Sequence, residues 1–99
     1  MTSDPRNGAE ILDDEACWER LRSEELGRLA VAVAGRPDIF PINYTVSDGA
    51  IYLRSAEGST LVSVVINAWV AFEIDGYIPA ANHAWSVVAH GKAALLGNL

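Results

Sequence analysis

The segment from Arg54 to Leu61 has residue types that suit the binding of an anion. It reads Arg-Ser-Ala-Glu-Gly-Ser-Thr-Leu, follows a strand-like run and precedes an apolar segment that is predicted to form a short helix. At the start of a helix, unpaired backbone N–H groups and the positive end of the helix dipole point towards one place. We therefore expect an oxyanion cradle that is built from Arg54, Ser55, Ala56, Ser59 and Thr60.

The same segment also has a simpler interpretation. Gly58 permits a turn, Ser59 caps the helix, and Arg54 pairs with Glu57 at the surface. Taken alone, the eight residues favour this simpler interpretation. The case for a cradle therefore depends on the neighbouring segments.

A second candidate site is the strand that is predicted from Ile39 to Val46. Large side chains alternate along it, which places Phe40, Ile42, Tyr44 and Val46 on one face. Pro41 lies inside the run and cannot donate a hydrogen bond to a neighbouring strand. The run is therefore predicted to be a sheet edge, a bulge or a place where a ligand replaces a neighbouring strand.

The length and composition favour one small domain. The chain has 99 residues, 51% of them hydrophobic, and we expect a flexible leader over residues 1–10 and a single domain over residues 11–99. A domain of this size gains stability when it buries further surface in an oligomer. Cys17 is the one cysteine, and no stretch has the character of a signal peptide or a membrane span, so we expect a cytoplasmic protein.

The formal charge of −6 is concentrated near the N-terminus. Residues 1–25 hold eight carboxylates against three arginines, and the rest of the chain is nearly neutral. An acidic chain without a basic stripe is a poor candidate for nucleic-acid binding, so we expect no nucleic-acid partner. The nearly neutral remainder is able to hold an anionic cofactor if its few cations are focused on it.

The periodicity of apolar residues predicts a helix, three strands, a short helix and two strands. The first helix is capped by Asp13 and ends between Glu24 and Gly27; the strands cover residues 28–34, 39–46, 50–54, 69–75 and 84–96; the short helix covers residues 61–67. We expect turns at residues 35–38 and 47–49, a loop over residues 76–83 and a bulge at Gly91. This order predicts a mainly β (α+β) fold, a small antiparallel barrel covered by helices.

Four blocks of sequence stand in order along the chain: RPDIFPINY at residues 36–44, DGAIYLRSAEGS at 48–59, NAWVAFEID at 67–75, and WSVV at 85–88 with Gly91. Together they closely resemble the pyridoxamine 5′-phosphate oxidase-like proteins of the FMN-binding split-barrel superfamily, over residues 12–95. The resemblance implies a split antiparallel β-barrel, a homodimer, and a flavin mononucleotide at each end of the subunit interface. It also implies a flavin-dependent oxidoreductase that acts on a small molecule.

The resemblance assigns parts of the cofactor to the two candidate sites. The flavin ring would lie against Phe40, Pro41, Ile42, Asn43 and Tyr44, and the phosphate at the segment from Arg54 to Thr60. A residue of the partner subunit usually completes the pocket, and Trp85 is a candidate for that role, although it also suits an ordinary core aromatic. Because a bound flavin carries the redox chemistry, no catalytic acid or base is assigned.

Two departures from the family pattern leave alternatives open. Relatives commonly carry a lysine where this chain has Thr60, and a charge-assisted hydrogen bond to a phosphate contributes about 1.5–3 kcal/mol. Relatives also usually continue well beyond the glycine that matches Gly91. The alternatives are the same fold with a deazaflavin cofactor, and a dimeric binding or structural remnant without a cofactor.

Other chemistry has weaker support in the sequence. His83 and His90 have neither the spacing nor the companions of a metal site. Glu73 and Asp75 fall on one face of a predicted strand and resemble an acid pair, but a solvated outer face explains them better.

Overall fold

The computed structural model describes residues 2–3, 10–54 and 65–94, with side chains from residue 11 onward in those ranges. The elements are β1 (Thr2–Ser3), β2 (Glu10–Ile11), α1 (Asp14–Ser23), β3 (Leu26–Val33), β4 (Arg36–Ser47), β5 (Ala50–Leu53), β6 (Trp69–Ile78), a 3-10 turn (Pro79–Ala81) and β7 (His83–Lys92). Five strands form one antiparallel sheet in the order β5-β4-β3-β6-β7, and the sheet is not closed within these residues. The predicted mainly β fold with an N-terminal cover helix is confirmed.

Helix α1 begins where the sequence predicts. The Asp13 side chain accepts a hydrogen bond of 2.9 Å from the backbone N–H of Ala16, which is the expected N-cap geometry. The helix ends at Ser23. Leu21 is buried and Trp18 packs against the same core, so one face of the helix covers the sheet, as predicted.

The core lies between α1 and one face of the sheet, which we call the inner face. Alternate residues of each long strand point to it, because successive side chains of a strand point to opposite sides. The predicted phase of β4, with Phe40, Ile42, Tyr44 and Val46 on one face, is confirmed. The most buried sheet residues are Leu29 and Val31 of β3, Ile42 and Tyr44 of β4, Phe72 and Ile74 of β6, and Val87 of β7.

The turn between β3 and β4 is shorter than the sequence predicts. It consists of Ala34 and Gly35, both with positive φ, and β4 already begins at Arg36. Such a backbone gives a two-residue hairpin whose twist matches that of its strands. The prediction of a turn over residues 35–38 is therefore wrong for Pro37, which pairs in register with Ala32.

Two glycines were misinterpreted from the sequence. Gly76 lies within β6 opposite Trp85, so the predicted loop over residues 76–83 is limited to the 3-10 turn and the residue after it. A Cβ atom at Gly76 would lie 2.6 Å from Nε1 of Trp85, which explains the glycine as a site of close approach. Gly91 pairs in register with Val70, and the ladder continues past it, so the predicted bulge is absent from β7.

Two further predictions lie at the limits of the described residues. Thr2–Ser3 pairs with Glu10–Ile11 in a short antiparallel ladder within the predicted leader, whose flexibility stays a prediction. The short helix predicted over residues 61–67 falls largely outside the described residues, and Val65 is helical. Within the part of the chain that the structure describes, no helix is both long and apolar enough to span a bilayer.

Candidate functional site

A cleft lies where the end of α1 meets β4 and the residue that follows β5. Its volume is ≈ 550 Å³, within the range of small-molecule sites. It is lined by Leu21, Arg22, Glu24 and Glu25 of the helix end, by Asn43, Tyr44, Thr45 and Val46 of β4, and by Arg54.

Backbone hydrogen bonds hold the two sides of the cleft together. The N–H of Tyr44 donates to the carbonyl of Glu25 at 3.0 Å, and the N–H of Arg54 donates to the carbonyl of Asn43 at 2.9 Å. The first bond ties β4 to the chain that follows α1. The second bond ties Arg54 to the strand that was predicted to face the flavin ring.

These two hydrogen bonds also determine which backbone N–H and C=O groups of β4 point towards β3 and which point towards the other edge of the strand. The N–H and C=O of one strand residue point to the same side, and this side alternates along the strand. Tyr44 bonds towards β3, so Ile42 does the same, whereas Asn43 and Pro41 face the other edge. Strand β5 covers this edge only from Tyr44 onward, so no described strand pairs with the earlier part of β4. Among the described residues, Pro41 therefore lies at a sheet edge, which is one of the predicted alternatives.

This arrangement narrows which amides of β4 are able to contact a ligand. Pro41 has no N–H, and those of Ile42 and Tyr44 point to β3. On the open edge, the N–H of Ile39 donates to Oδ1 of Asp38 at 2.8 Å. The edge thus presents mainly carbonyl oxygens to a ligand, with Asn43 supplying the outward N–H of this segment.

Tyr44 fixes the helix end against the strand. Its hydroxyl donates a buried hydrogen bond of 2.6 Å to the carbonyl of Leu21, and its ring contacts Phe72 edge-on at 4.8 Å between centroids. Burial raises the pKa of Tyr44, and the nearby carboxylate of Glu24 raises it further. Tyr44 therefore stays neutral at physiological pH and holds the floor of the cleft.

The charges around the cleft are balanced. Arg22 and Arg54 supply two cations, and Glu24 and Glu25 supply two carboxylates. Arg22 also lies 3.9 Å from Glu15 in an exposed ion pair, which contributes little to stability. A polar ligand with an anionic group would find two guanidinium donors here. No group of three or more His, Cys, Asp or Glu side chains within residues 11–54 and 65–94 is arranged to hold a metal ion.

The structure brings some of the predicted site residues together. Asn43, Tyr44 and Arg54 line one cleft. Phe40 and Ile42 instead point into the core, and Pro41 is exposed on the opposite face of the sheet. The remaining cradle residues, Ser55, Ala56, Ser59 and Thr60, lie outside the described residues.

Trp85 does not line the cleft. Its ring packs against Gly76 within the sheet, and the guanidinium of Arg20 lies 4.5 Å from the ring centroid. Trp85 thus joins α1 to β7 within the chain. Its role towards a partner subunit stays a prediction.

Sequence reasoning missed the contribution of the helix end to the cleft. Arg22, Glu24 and Glu25 were assigned only to the polar side and end of α1, because nothing local links them to β4. Only the position of the helix end between two strands links these residues to the cleft. That position depends on how the whole chain packs.

An ion-pair cluster on the other face of the sheet was missed as well. Nε of Arg28 lies 2.8 Å from Glu73 and a terminal nitrogen of Arg28 lies 3.1 Å from Asp75. The hydrogen bond to Glu73 raises the pKa of Arg28. The two acids do lie on an outer strand face, as expected, but they are bridged by an arginine that the strand register places opposite Glu73.

The fold and its blocks of sequence can now be compared with known proteins. A sequence profile of the pyridoxamine 5′-phosphate oxidase family matches residues 13–98. The chain belongs to this family. An uncharacterized protein of Mycobacterium tuberculosis, Rv0080, is 33% identical over 96 residues, which make up 90% of this chain and 63% of that protein. The chain therefore spans less than two thirds of the length of this curated relative.

Two solved structures of similar proteins confirm the split-barrel fold. The FAD-binding protein of Mycobacterium smegmatis is 39% identical with a TM-score of 0.81, over 89% of this chain and 72% of that chain. A proposed pyridoxamine 5′-phosphate oxidase of Corynebacterium glutamicum is 42% identical with a TM-score of 0.76, over 90% and 68% of the two chains. The predicted membership of the family is thus confirmed, with a sheet that stays open among the described residues.

Proposed function

We propose that this protein binds a flavin nucleotide, FMN in the first place, and acts as a flavin-dependent oxidoreductase on a small molecule. The observation that carries the proposal is the position of Arg54 in the cleft, tied by its own N–H to the open edge of β4. A relative with 39% identity is an FAD-binding protein, which supports a flavin as the class of cofactor. The proposal includes a cytoplasmic homodimer.

The residues of the cleft fit a flavin in their chemistry. A flavin ring has carbonyl acceptors and one N–H donor at its pyrimidine end, so it needs both kinds of partner. The open edge of β4 supplies carbonyl oxygens for the donor, and the outward N–H of Asn43 suits an acceptor. The cleft volume of ≈ 550 Å³ falls in the range for ligands of this size.

Arg54 would hold the phosphate. Its side chain is exposed at the cleft, and the planar guanidinium is able to bind two phosphate oxygens at once. Arg22 is a second cation at the same cleft. The carboxylates of Glu24 and Glu25 balance the two positive charges. A phosphate would therefore compete with these carboxylates for the guanidinium groups.

The redox chemistry would come from the flavin, which accepts and returns a hydride equivalent when bound. The role of this chain is to bind the flavin and to orient it. Tyr44 keeps the helix end in place through the carbonyl of Leu21, and the backbone of β4 would fix the plane of the ring. No side chain of the cleft is assigned to proton transfer.

Titration of the purified protein with FMN, FAD and a deazaflavin cofactor in parallel tests the proposal. We expect saturable quenching of flavin fluorescence by the protein, tightest for FMN. Tighter binding of FAD than of FMN would show that FAD is the preferred cofactor. Binding of the deazaflavin alone would show that the cofactor is a deazaflavin and not a flavin. Binding of none of the three would overturn the proposal.

The variant Arg54→Ala tests the assigned residue. Loss of a charge-assisted contact to phosphate costs about 1.5–3 kcal/mol, so the dissociation constant for FMN should rise roughly 10- to 150-fold. Arg36→Ala is the matched control, because Arg36 is an exposed arginine at the other end of β4. Both variants should unfold at the parent temperature. An Arg54→Ala protein that binds FMN as tightly as the parent would refute the phosphate assignment.

A further inference from the structure

Arg22 lies at the candidate cleft on a segment whose backbone is fixed at two points. The carbonyl of Leu21, the residue before it, accepts the buried hydrogen bond of 2.6 Å from the Tyr44 hydroxyl. Further along the chain, the carbonyl of Glu25 accepts a hydrogen bond of 3.0 Å from the N–H of Tyr44. The backbone of Arg22 is therefore held against β4, while its exposed side chain lines the cleft.

The ion pair that Arg22 forms in this structure is weak. Arg22 lies 3.9 Å from Glu15, and the two side chains are 51% and 82% exposed. Exposed pairs of this kind contribute little to stability, because water screens the charges. Within the part of the chain that the structure describes, neither Glu24 nor Glu25 forms an ion pair with Arg22. The guanidinium is therefore able to turn from Glu15 towards an anion with little loss of stability.

Arg54 reaches the same cleft from the other side of β4. Its N–H donates to the carbonyl of Asn43 on the edge away from β3, whereas Tyr44 bonds to Glu25 on the side of β3. Neighbouring strands lie about 4.8 Å apart, so the backbones of Arg54 and Glu25 are separated by two strand spacings, roughly 10 Å. Arg22 comes from the helix end just before Glu25. The two arginine side chains are thus able to meet on one small anion above β4.

An anion that was bound by Arg54 alone would meet negative charge in the rest of the cleft. The last carbonyls of a helix form its negative end, and α1 ends at Ser23 beside the cleft. Glu24 and Glu25 add two carboxylates at the same place. Arg22 belongs to the last turn of α1, where a cation offsets the negative end of the helix most effectively. A ligand phosphate in this cleft therefore needs Arg22 as well as Arg54.

We propose that Arg22 is a specificity-determining residue of the cleft, which leaves Glu15 and joins Arg54 on a phosphate monoester of the ligand. The inference rests on the flavin binding of the proposed function and adds a residue to it. A phosphate monoester carries close to two negative charges at neutral pH, whereas each phosphate of FAD carries one. Two guanidinium groups therefore suit the monoester of FMN better than the phosphates of FAD, and riboflavin has no phosphate for them to bind.

Fluorescence titrations with FMN and riboflavin test the role of Arg22. In Arg22→Gln the dissociation constant for FMN should rise roughly 10-fold, which is the lower end for a charge-assisted contact because the cleft is open to water. The dissociation constant for riboflavin should not change. Arg20→Gln is the matched control, since it removes the same charge from the same helix turn, but the guanidinium of Arg20 lies over Trp85 and away from the cleft. This control should bind both compounds as the parent does.

Glu15→Gln tests the same inference in the opposite direction. Loss of the competing carboxylate should tighten FMN binding roughly 2- to 5-fold and leave riboflavin binding unchanged. Asp14→Asn is the control, because it removes the neighbouring carboxylate of α1, which forms no ion pair with Arg22 among the described residues. The melting temperature of each variant is measured beside its affinity, so that loss of a contact is distinguished from loss of the fold.

A further measurement does not need a flavin. The side-chain Nε–H signals of Arg22 and Arg54 are followed by NMR while inorganic phosphate replaces chloride at constant ionic strength. We expect both signals to shift in the parent, and the Arg54 signal to shift less in Arg22→Gln. Phosphate-dependent shifts in a protein that binds no flavin would count against the proposed function alone.

Three results would each overturn the role of Arg22. The first is an Arg22 signal that phosphate leaves unchanged in the parent. The second is an Arg22→Gln protein that binds FMN as tightly as the parent. The third is equal weakening of FMN and riboflavin binding in Arg22→Gln, which would assign the residue to the shape of the cleft and not to the phosphate. In the last two cases a parent that binds FMN tightly would leave the proposed function in place.

Discussion

The hydrogen bond between Tyr44 and the helix end gives a quantitative prediction for Tyr44→Phe. The carbonyl of Leu21 is among the last four of α1, which have no partner within the helix. The Tyr44 hydroxyl satisfies this buried group at 2.6 Å. Removing the hydroxyl leaves a buried carbonyl unpaired, which costs about 1–2 kcal/mol of unfolding free energy. For a domain of this length the melting temperature should fall by about 4–16 °C.

The same residue gives the protein a dependence on alkaline pH. Burial, and then the carboxylate of Glu24, raises the pKa of Tyr44 above its ordinary value of 10.0. A raised pKa contributes stability that is fully present below pH 10.0 and is lost as the pH rises through the pKa in the folded state. The difference in stability between the parent and Tyr44→Phe should therefore shrink as the pH rises above that value.

Urea unfolding of the parent, Tyr44→Phe and Tyr77→Phe at neutral and alkaline pH measures both effects. Tyr77 is 61% exposed in β6, so its hydroxyl is solvated and its removal should change stability by less than about 0.5 kcal/mol. Equal stability of Tyr44→Phe and the parent at neutral pH would show that the hydroxyl does not hold the helix end. A difference that does not change with pH would refute the effect of burial on the tyrosine.

Two further predictions concern the packing of β3 and the start of α1. Gly27→Ala should destabilise the protein by about 1–3 kcal/mol, because the new Cβ would lie within 2.7 Å of the Phe72 ring. Gly91→Ala is the control: its new Cβ has free space, so the urea midpoint should stay nearly unchanged. Equal midpoints for the two glycine variants would contradict this packing. Asp13→Ala removes the hydrogen bond from the N–H of Ala16 and should lower the free energy of unfolding by about 1 kcal/mol in the same experiment. The helix signal in circular dichroism should also melt at a lower temperature. An unchanged urea midpoint would show that the cap is dispensable.

The parts of the fold that were predicted correctly have local causes. An aspartate before two acids and an apolar stripe sets the start of α1, and the cap bond of Asp13 follows from those neighbours alone. Alternation of large side chains sets the inner face of each strand, because the pleat has a period of two. The residues of β4 that face the core could therefore be predicted from the sequence.

The errors concern features that depend on what lies opposite in the sheet. Gly76 and Gly91 look alike in the sequence, yet one makes room for an indole and the other has open space. Arg28 becomes the partner of Glu73 only through the register of β3 and β6. Of the residues that line the cleft, Asn43, Tyr44 and Arg54 were named from the sequence, because each belongs to a short recognisable segment. The helix end that completes the cleft was not, because only the packed structure brings it there.

The open edge of β4 has a consequence for solubility. A strand edge that no described strand pairs with is a template on which another chain can add, and so is a hazard for aggregation. Along this edge Pro37 and Pro41 have no N–H, and the N–H of Ile39 is bonded to Asp38. A second strand would meet acceptors at three successive outward positions and find no donors there. The edge is thus able to receive a small molecule that brings its own hydrogens, while it resists growth into a polymer.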